Sequence, residues 1–104
     1  MDNTQAILNE IKQAVMLVDI SADVILFGSR ARGDYRDESD WDVLVLTDKT
    51  ADLALKRKII GNILQVELQH SIGVSVIVRN RLDWEHRHSI TFFYKEVEKD
   101  GVLL

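Results

Sequence analysis

Cysteine is absent from the 104 residues, which removes disulfides and thiolate metal sites. No apolar run approaches the roughly 20 residues needed to cross a bilayer. The opening Met1-Asp2-Asn3-Thr4 also lacks the basic-then-apolar pattern of a secretory signal. A soluble, cytoplasmic chain with no membrane partner is therefore expected. Positive charge is scarce: 13 Lys and Arg stand against 17 Asp and Glu, a formal net charge of −4. That balance argues against a surface built to hold long nucleic acid, where many phosphates must be neutralised. No repeat or low-complexity stretch interrupts the chain. Its 46% hydrophobic and 29% charged content is that of a folded protein, and its length suits one small domain spanning 1–104.

What is present is concentrated between Asp23 and Leu46, where two apolar runs are joined by a loop of glycine, arginine and acidic residues. Val24 to Phe27 is short, partly β-branched and stopped by Gly28, the pattern of a buried strand that delivers Gly28-Ser29. Asp40-Trp41-Asp42 leads into Val43-Leu44-Val45-Leu46. On a strand, the period of two puts Asp40 and Asp42 on one face and turns Trp41 to the other, into apolar packing.

Two carboxylates side by side near an apolar strand repel each other and resist ionisation, so they need a compensating charge. Magnesium fits: it is a hard cation that takes oxygen ligands and typically uses one or two carboxylates plus substrate phosphates. Gly28 allows close approach of the backbone. If Ser29 to Arg32 form a helical turn ending at Gly33, its first amides suit a phosphate. Arg30, Arg32 and Arg36 sit in the same loop. Two readings stand for them: contacts to a triphosphate, or surface pairs with Asp34, Asp37 and Glu38. Tyr35 is expected to pack under the loop, and Ser39 to orient the backbone before Asp40.

Gly28-Ser29, ten intervening residues and Asp40-x-Asp42 entering an apolar strand resemble the signature of the nucleotidyltransferase superfamily that includes DNA polymerase beta. Gly-Ser-Arg-Ala-Arg-Gly followed by Ser-Asp-x-Asp is most similar to its minimal nucleotidyltransferases, antitoxin members included, and the likeness extends to the tail around Phe93 to Val102. The resemblance implies an α/β (α+β) fold with a small mixed β-sheet flanked by α-helices. It also implies Mg2+ held by Asp40 and Asp42 as catalytic and metal residues, and ATP or another nucleoside triphosphate bound by Gly28, Ser29, Arg30 and Arg32. An acceptor hydroxyl would attack the α-phosphorus and release pyrophosphate. Such relatives often act beside a separately encoded helical HEPN protein, a toxin whose tyrosine they modify with AMP; an oligomer is compatible with this.

Many members carry a third carboxylate on the next strand. Here no aspartate or glutamate lies between His70 and Val78, and Ser75 stands at the corresponding position without the charge or basicity of an acid. An enzyme and a non-catalytic antitoxin that acts by contact are therefore both carried forward. A stand-alone aminoglycoside-modifying enzyme is disfavoured, because no helical substrate domain accompanies the site.

The remaining segments read as support. Ile7, Leu8, Ile11, Ala14, Val15 and Val18 recur at helical spacing from Thr4 to Val18, with Asn3 or Thr4 as cap, and Asp19 to Ala22 connects to the first strand. A second amphipathic helix runs to about Gln69, capped by Asp48 or Thr50. It contains Gly61, whose cost suggests a close packing contact. His70 to Gly73 closes that helix, and Val74 to Val78 is expected to be a third, central strand. Two short helices follow, the last ending at Gly101, and Val102 to Leu104 form an edge strand. His86 and His88 lie two apart, a poor metal pair on a helix.

Overall fold

The structure, a computed structural model, describes residues 3–86 and 89–104. The elements follow in the order α1 (Thr4–Met16), β1 (Asp23–Phe27), α2 (Ser29–Arg32), β2 (Trp41–Thr47), α3 (Leu53–His70), β3 (Val74–Asn80), α4 (Arg81–His86), α5 (Phe92–Asp100) and β4 (Val102–Leu103). The result is the expected α/β fold with a mixed sheet flanked by helices.

Alternation along the strands divides the protein into two apolar layers. On one face Val24, Leu26, Trp41, Val43, Val45 and Val78 pack against Ile7, Ile11 and Val15 of α1 and Ile59, Ile63 and Val66 of α3. On the other, Leu44 and Leu46 meet Trp84 of α4 and Val97 of α5. There the Trp84 ring contacts Phe93 and Tyr94, at centroid distances of 5.3 and 5.0 Å. The helices thus cover both faces, and β1 and β2, the two inner strands, become largely apolar.

Sheet order is β3-β2-β1-β4, with β1 antiparallel to both β2 and β4 and β2 parallel to β3. The expectation of a central third strand is corrected: β3 is an edge. Within the β-branched run Val74–Val78 only Val78 is buried, with Val74, Val76 and Ile77 packed at the margins of the two apolar layers, so its composition reports a partial share in the core and carries no information about a hydrogen-bonding neighbour. After Asn80 the chain turns straight into α4, and among the described residues no strand returns to that side. Val102–Leu103 does add the expected edge, on β1.

Several local expectations also change. α1 ends at Met16, because the amides of Val18 and Asp19 both turn back to the carbonyl of Val15. Asn3 precedes the helix without a side-chain cap. α3 is capped by Asp52, whose Oδ1 accepts from the Leu55 amide at 2.9 Å; Asp48 instead receives Arg81 Nε at 2.8 Å. Gly61 lies mid-helix and exposed, with no described atom within 4 Å of where a Cβ would stand, so the expected packing contact is absent from the chain itself. Its cost of about 1 kcal/mol relative to alanine is unrelieved inside this fold. Of the two histidines read as a poor metal pair, His86 ends α4 and is exposed, and His88 lies outside the described residues. No described helix is long and apolar enough to cross a membrane.

Candidate active site

β1 ends at Phe27, and Gly28 takes φ +75°, a left-handed conformation that side-chain-bearing residues rarely adopt, before the single turn of α2. Gly33, at φ +87°, closes that turn. This is the expected path, and it sets Gly28 against β2, where Phe27 pairs with Asp42. A Cβ on Gly28 would collide with Asp42 Oδ2, well inside van der Waals contact. The Asp42 carboxylate therefore occupies space that only glycine leaves open.

Asp40 is held in the same way by a residue that the sequence reading assigned only to a helix end. A Cβ on Gly73 would stand 2.5 Å from Asp40 Oδ1, and the Gly73 carbonyl accepts from the Trp41 amide at 2.9 Å. Gly73 is thus part of the site; the signal was its place directly before β3, which becomes informative once β3 is known to run parallel to β2. Trp41 lies between the acids in sequence and on the opposite face in space, 3% exposed within the core beneath the loop, as expected.

On the acid face, Asp42 is paired in register with Ser75 of β3, whose hydroxyl hydrogen-bonds to it. Burial, then the neighbouring charge of Asp40, pushes the Asp42 carboxyl above its ordinary value; the Ser75 hydrogen bond and Arg32 oppose this without cancelling it. Ser75 thus stands where the resemblance puts a third acid and faces the pair.

The arginines separate into distinct roles. The Arg30 guanidinium is stacked between the rings of Tyr35 and Trp41, 4.5 and 4.1 Å from their centroids. Its nitrogens donate to the carbonyls of Ser39, Arg36 and Asp37 at 3.1, 3.3 and 3.2 Å. Cation–π contact and three acceptors make it the clamp that folds the 33–40 loop back toward β2. Arg32 pairs with Asp34 at 3.2 Å on the exposed side, a contact of little energetic weight. Tyr35, expected under the loop, is 42% exposed and acts as the outer plate of the Arg30 stack. Ser39 Oγ accepts from the Arg36 amide at 2.9 Å, fixing the backbone just before Asp40 as anticipated.

Among the described residues no group of three or more His, Asp or Glu side chains gathers as a cation cage. The donor set here is two converging carboxylates of a like-charged pair beside a hydroxyl. These are hard oxygen donors, one of them held in an unfavourable electrostatic state that a cation would relieve. That chemistry fits magnesium, which leaves most of its coordination sphere to water and phosphate.

The family profile of nucleotidyltransferase domains matches residues 5–103. A protein of Methanocaldococcus jannaschii provisionally named as a protein adenylyltransferase is 40% identical over 99 residues, covering 92% of this chain and 93% of its own. A solved structure described as a provisionally assigned minimal nucleotidyltransferase superposes with a TM-score of 0.63 at 24% identity, covering 100% of this chain and 97% of its own. A toxin–antitoxin crystal structure with AMP-PNP gives a TM-score of 0.67 at 20% identity, over 91% of this chain and 69% of its own. At those identities the two structures speak for the fold alone, whereas the near-complete profile match and the archaeal relative establish descent. The chain belongs to the nucleotidyltransferase family and is a transferase.

Proposed function

We propose that this transferase moves AMP from Mg–ATP to a hydroxyl group on another protein. The observation that carries the proposal is the convergence of the Asp40 and Asp42 carboxylates into the gaps left by Gly73 and Gly28, beside the turn that begins at Ser29. The archaeal relative's provisional name supports a protein acceptor, and the fold neighbour with AMP-PNP supports an adenine nucleotide. That neighbour's toxin–antitoxin assembly supports a toxin as the acceptor, with this chain as the antitoxin, and the resemblance of the Gly28–Asp42 signature to minimal nucleotidyltransferases makes that toxin a helical HEPN protein.

Asp40 and Asp42 would hold the magnesium ion. When bound, the ion neutralises charge developing on phosphate oxygens and aligns donor with acceptor. Gly28 lets the triphosphate approach the backbone, and Ser29 and the first amides of α2 face it as hydrogen-bond donors. Arg32 is near enough to Asp42 to favour its ionised form and can turn from Asp34 to a phosphate oxygen. Arg30 acts at one remove, by holding the loop whose end positions Asp40. The acceptor oxygen forms a bond to the α-phosphorus, the bond to the β-phosphate bridging oxygen breaks, and pyrophosphate leaves. The hydroxyl proton finds no carboxylate on β3: Ser75 donates to Asp42 and is not a base at neutral pH. The proton therefore passes to water or to a group of the acceptor protein.

Ser75 also favours a second reading, a nucleotidyltransferase-fold antitoxin that neutralises its partner by contact with little or no transfer. Labelled AMP transfer from ATP to a co-purified partner separates the two, comparing the natural chain with Ser75→Asp. Transfer by the natural chain supports the enzyme. A rate that rises by about 10²-fold or more only in Ser75→Asp marks β3 as the missing base position. Tight partner binding with no transfer by either protein removes the enzyme reading.

A further inference from the structure

One side of the protein is unfinished. The outer edge of β3 pairs with no described strand over seven residues, Val74–Asn80, and carries neither proline nor an inward-pointing acid to discourage pairing. Directly above that edge, α3 exposes Leu53, Ile60, Leu64 and Leu68, at 60%, 50%, 46% and 68% of their accessible area. Spacings of seven, four and four put these on one stripe. The stripe lies on the flank of α3 away from α1. Asn62 binds the Ala14 carbonyl on the α1 side, whereas Glu67, which borders the stripe, accepts from the Val74 amide at the head of β3.

The occupant that fits is a second copy of this chain, because both elements complement themselves when reversed. Around Ile77 the strand reads Ser75-Val76-Ile77-Val78-Arg79, so antiparallel pairing about Ile77 sets valine against valine and Ser75 against Arg79. The same axis falls at the middle of α3. Ile77 is three residues, about 10 Å, below the Glu67–Val74 contact along the strand, and about 10 Å along a helix is six to seven residues, which reaches Gly61 or Ile60. The exposed glycine without an internal reason is thus where two copies of α3 would approach most closely. Reversal also brings the basic start of one α3, Lys56 and Arg57, to Glu67 of the other.

We propose that two copies pair antiparallel through β3 about Ile77 and through α3 about Gly61, and that Arg79 of each copy completes the acid site of the other. Arg79 shares the face of Ser75, four residues along the strand, and its guanidinium donates to the Val78 carbonyl beside it at 3.0 Å. Across the axis it becomes the direct neighbour of Ser75, which hydrogen-bonds to Asp42. Resting on the transfer reading given above, its partner there is the nucleotide triphosphate, for which an always-charged planar donor is suited.

The absence of native cysteine makes the register directly testable. Residues 75 and 79 of one strand lie about 13 Å apart, as do the two copies of either residue across the axis. Cross-strand partners, in contrast, fall inside the roughly 4.4–6.8 Å span of a disulfide. Under oxidation the double variant Ser75→Cys/Arg79→Cys should form a covalent dimer, about tenfold or more above either single variant. The natural chain should sediment as a dimer at about 100 μM and Ile60→Glu/Leu64→Glu as a monomer, because two buried charges per copy would then oppose association. A monomeric natural chain, or single variants that cross-link as well as the double, overturns the proposal. A natural chain that sediments as a dimer yet shows no transfer would count against the transfer reading alone, and full transfer by the monomeric Ile60→Glu/Leu64→Glu variant against the dimer alone.

Discussion

Two aspartates at opposite ends of the same pair of inner strands experience opposite environments. Asp19, below the C-terminal end of β2, is 5% exposed. It accepts from Thr47 Oγ1 at 2.6 Å and from the amide and hydroxyl of Ser21 at 3.1 and 2.8 Å. The Thr47 hydrogen bond, first among these, holds its carboxyl below the ordinary value despite burial. Asp42, at the other end, is less buried yet sits above its ordinary value, because desolvation and the charge of Asp40 outweigh the Ser75 hydrogen bond and Arg32. Where an acid only fastens the chain, the fold surrounds it with donors. Where fewer donors face the carboxylate and a second acid stands beside it, ionisation is disfavoured, and that difference sets the Gly28–Asp42 end of the sheet apart from the Asp19 end.

The sharpest way to break this comparison is Asp42→Asn. Transfer should fall by about 10³-fold or more, as expected when an ion-binding charge is lost, and ATP affinity should lose its dependence on magnesium in calorimetry. The same variant should melt at a higher temperature than the natural chain, because a like-charge contact is removed; a lower melting point would mean that Asp42 is structural.

Next in size is Trp41→Ala, which should cost about 3–5 kcal/mol in a denaturant melt. Trp41 is both core filling and the inner plate of the Arg30 stack. A change near zero would undo the assignment of its neighbours to the opposite face. Thr47→Val should cost about 1–3 kcal/mol, the penalty for leaving a buried carboxylate short of a donor, while transfer by the folded protein stays unchanged. If transfer fell as far as stability, the two ends of the sheet would not be independent.

The smallest effect is the pH profile of Asp19. Its folded value is depressed, so its contribution to stability is complete above the unfolded value of 3.8 and is lost as pH falls through the lower folded value. Melts of the natural chain and of Thr47→Val should accordingly converge as pH drops below about 4. Curves that stay parallel would show that Thr47 does not act through Asp19.

The Gly28–Asp42 end of the sheet was far more legible in the chain than the Asp19 end. Gly28, Ser29, Asp40 and Asp42 are joined by one short loop, so strand alternation and a single glycine turn suffice to bring them together. Asp19 and Thr47 are 28 residues apart, and nothing in the connection Asp19–Ala22 signals a buried hydrogen-bonded acid. Arg30 was read as a candidate phosphate ligand or surface cation. Its place between Tyr35 and Trp41 depends on how the loop folds over a residue from the core. Gly73 escaped notice because its partner, Asp40, is brought to it only by the parallel pairing of β2 and β3.

By itself, then, the sequence determined what periodicity and local sterics control: which runs are strands or helices, which face of β2 bears the acids, and that a glycine ends the first strand beside them. The tertiary structure alone decided that β3 is an edge, that Asp52 caps α3, that Gly61 has no neighbour among the described residues, and which acid is held below its ordinary value and which above it. The physical reason is that hydrogen-bond partners and electrostatic environments come from residues distant in the chain. The pattern of apolar residues records that a segment is buried, without recording against what.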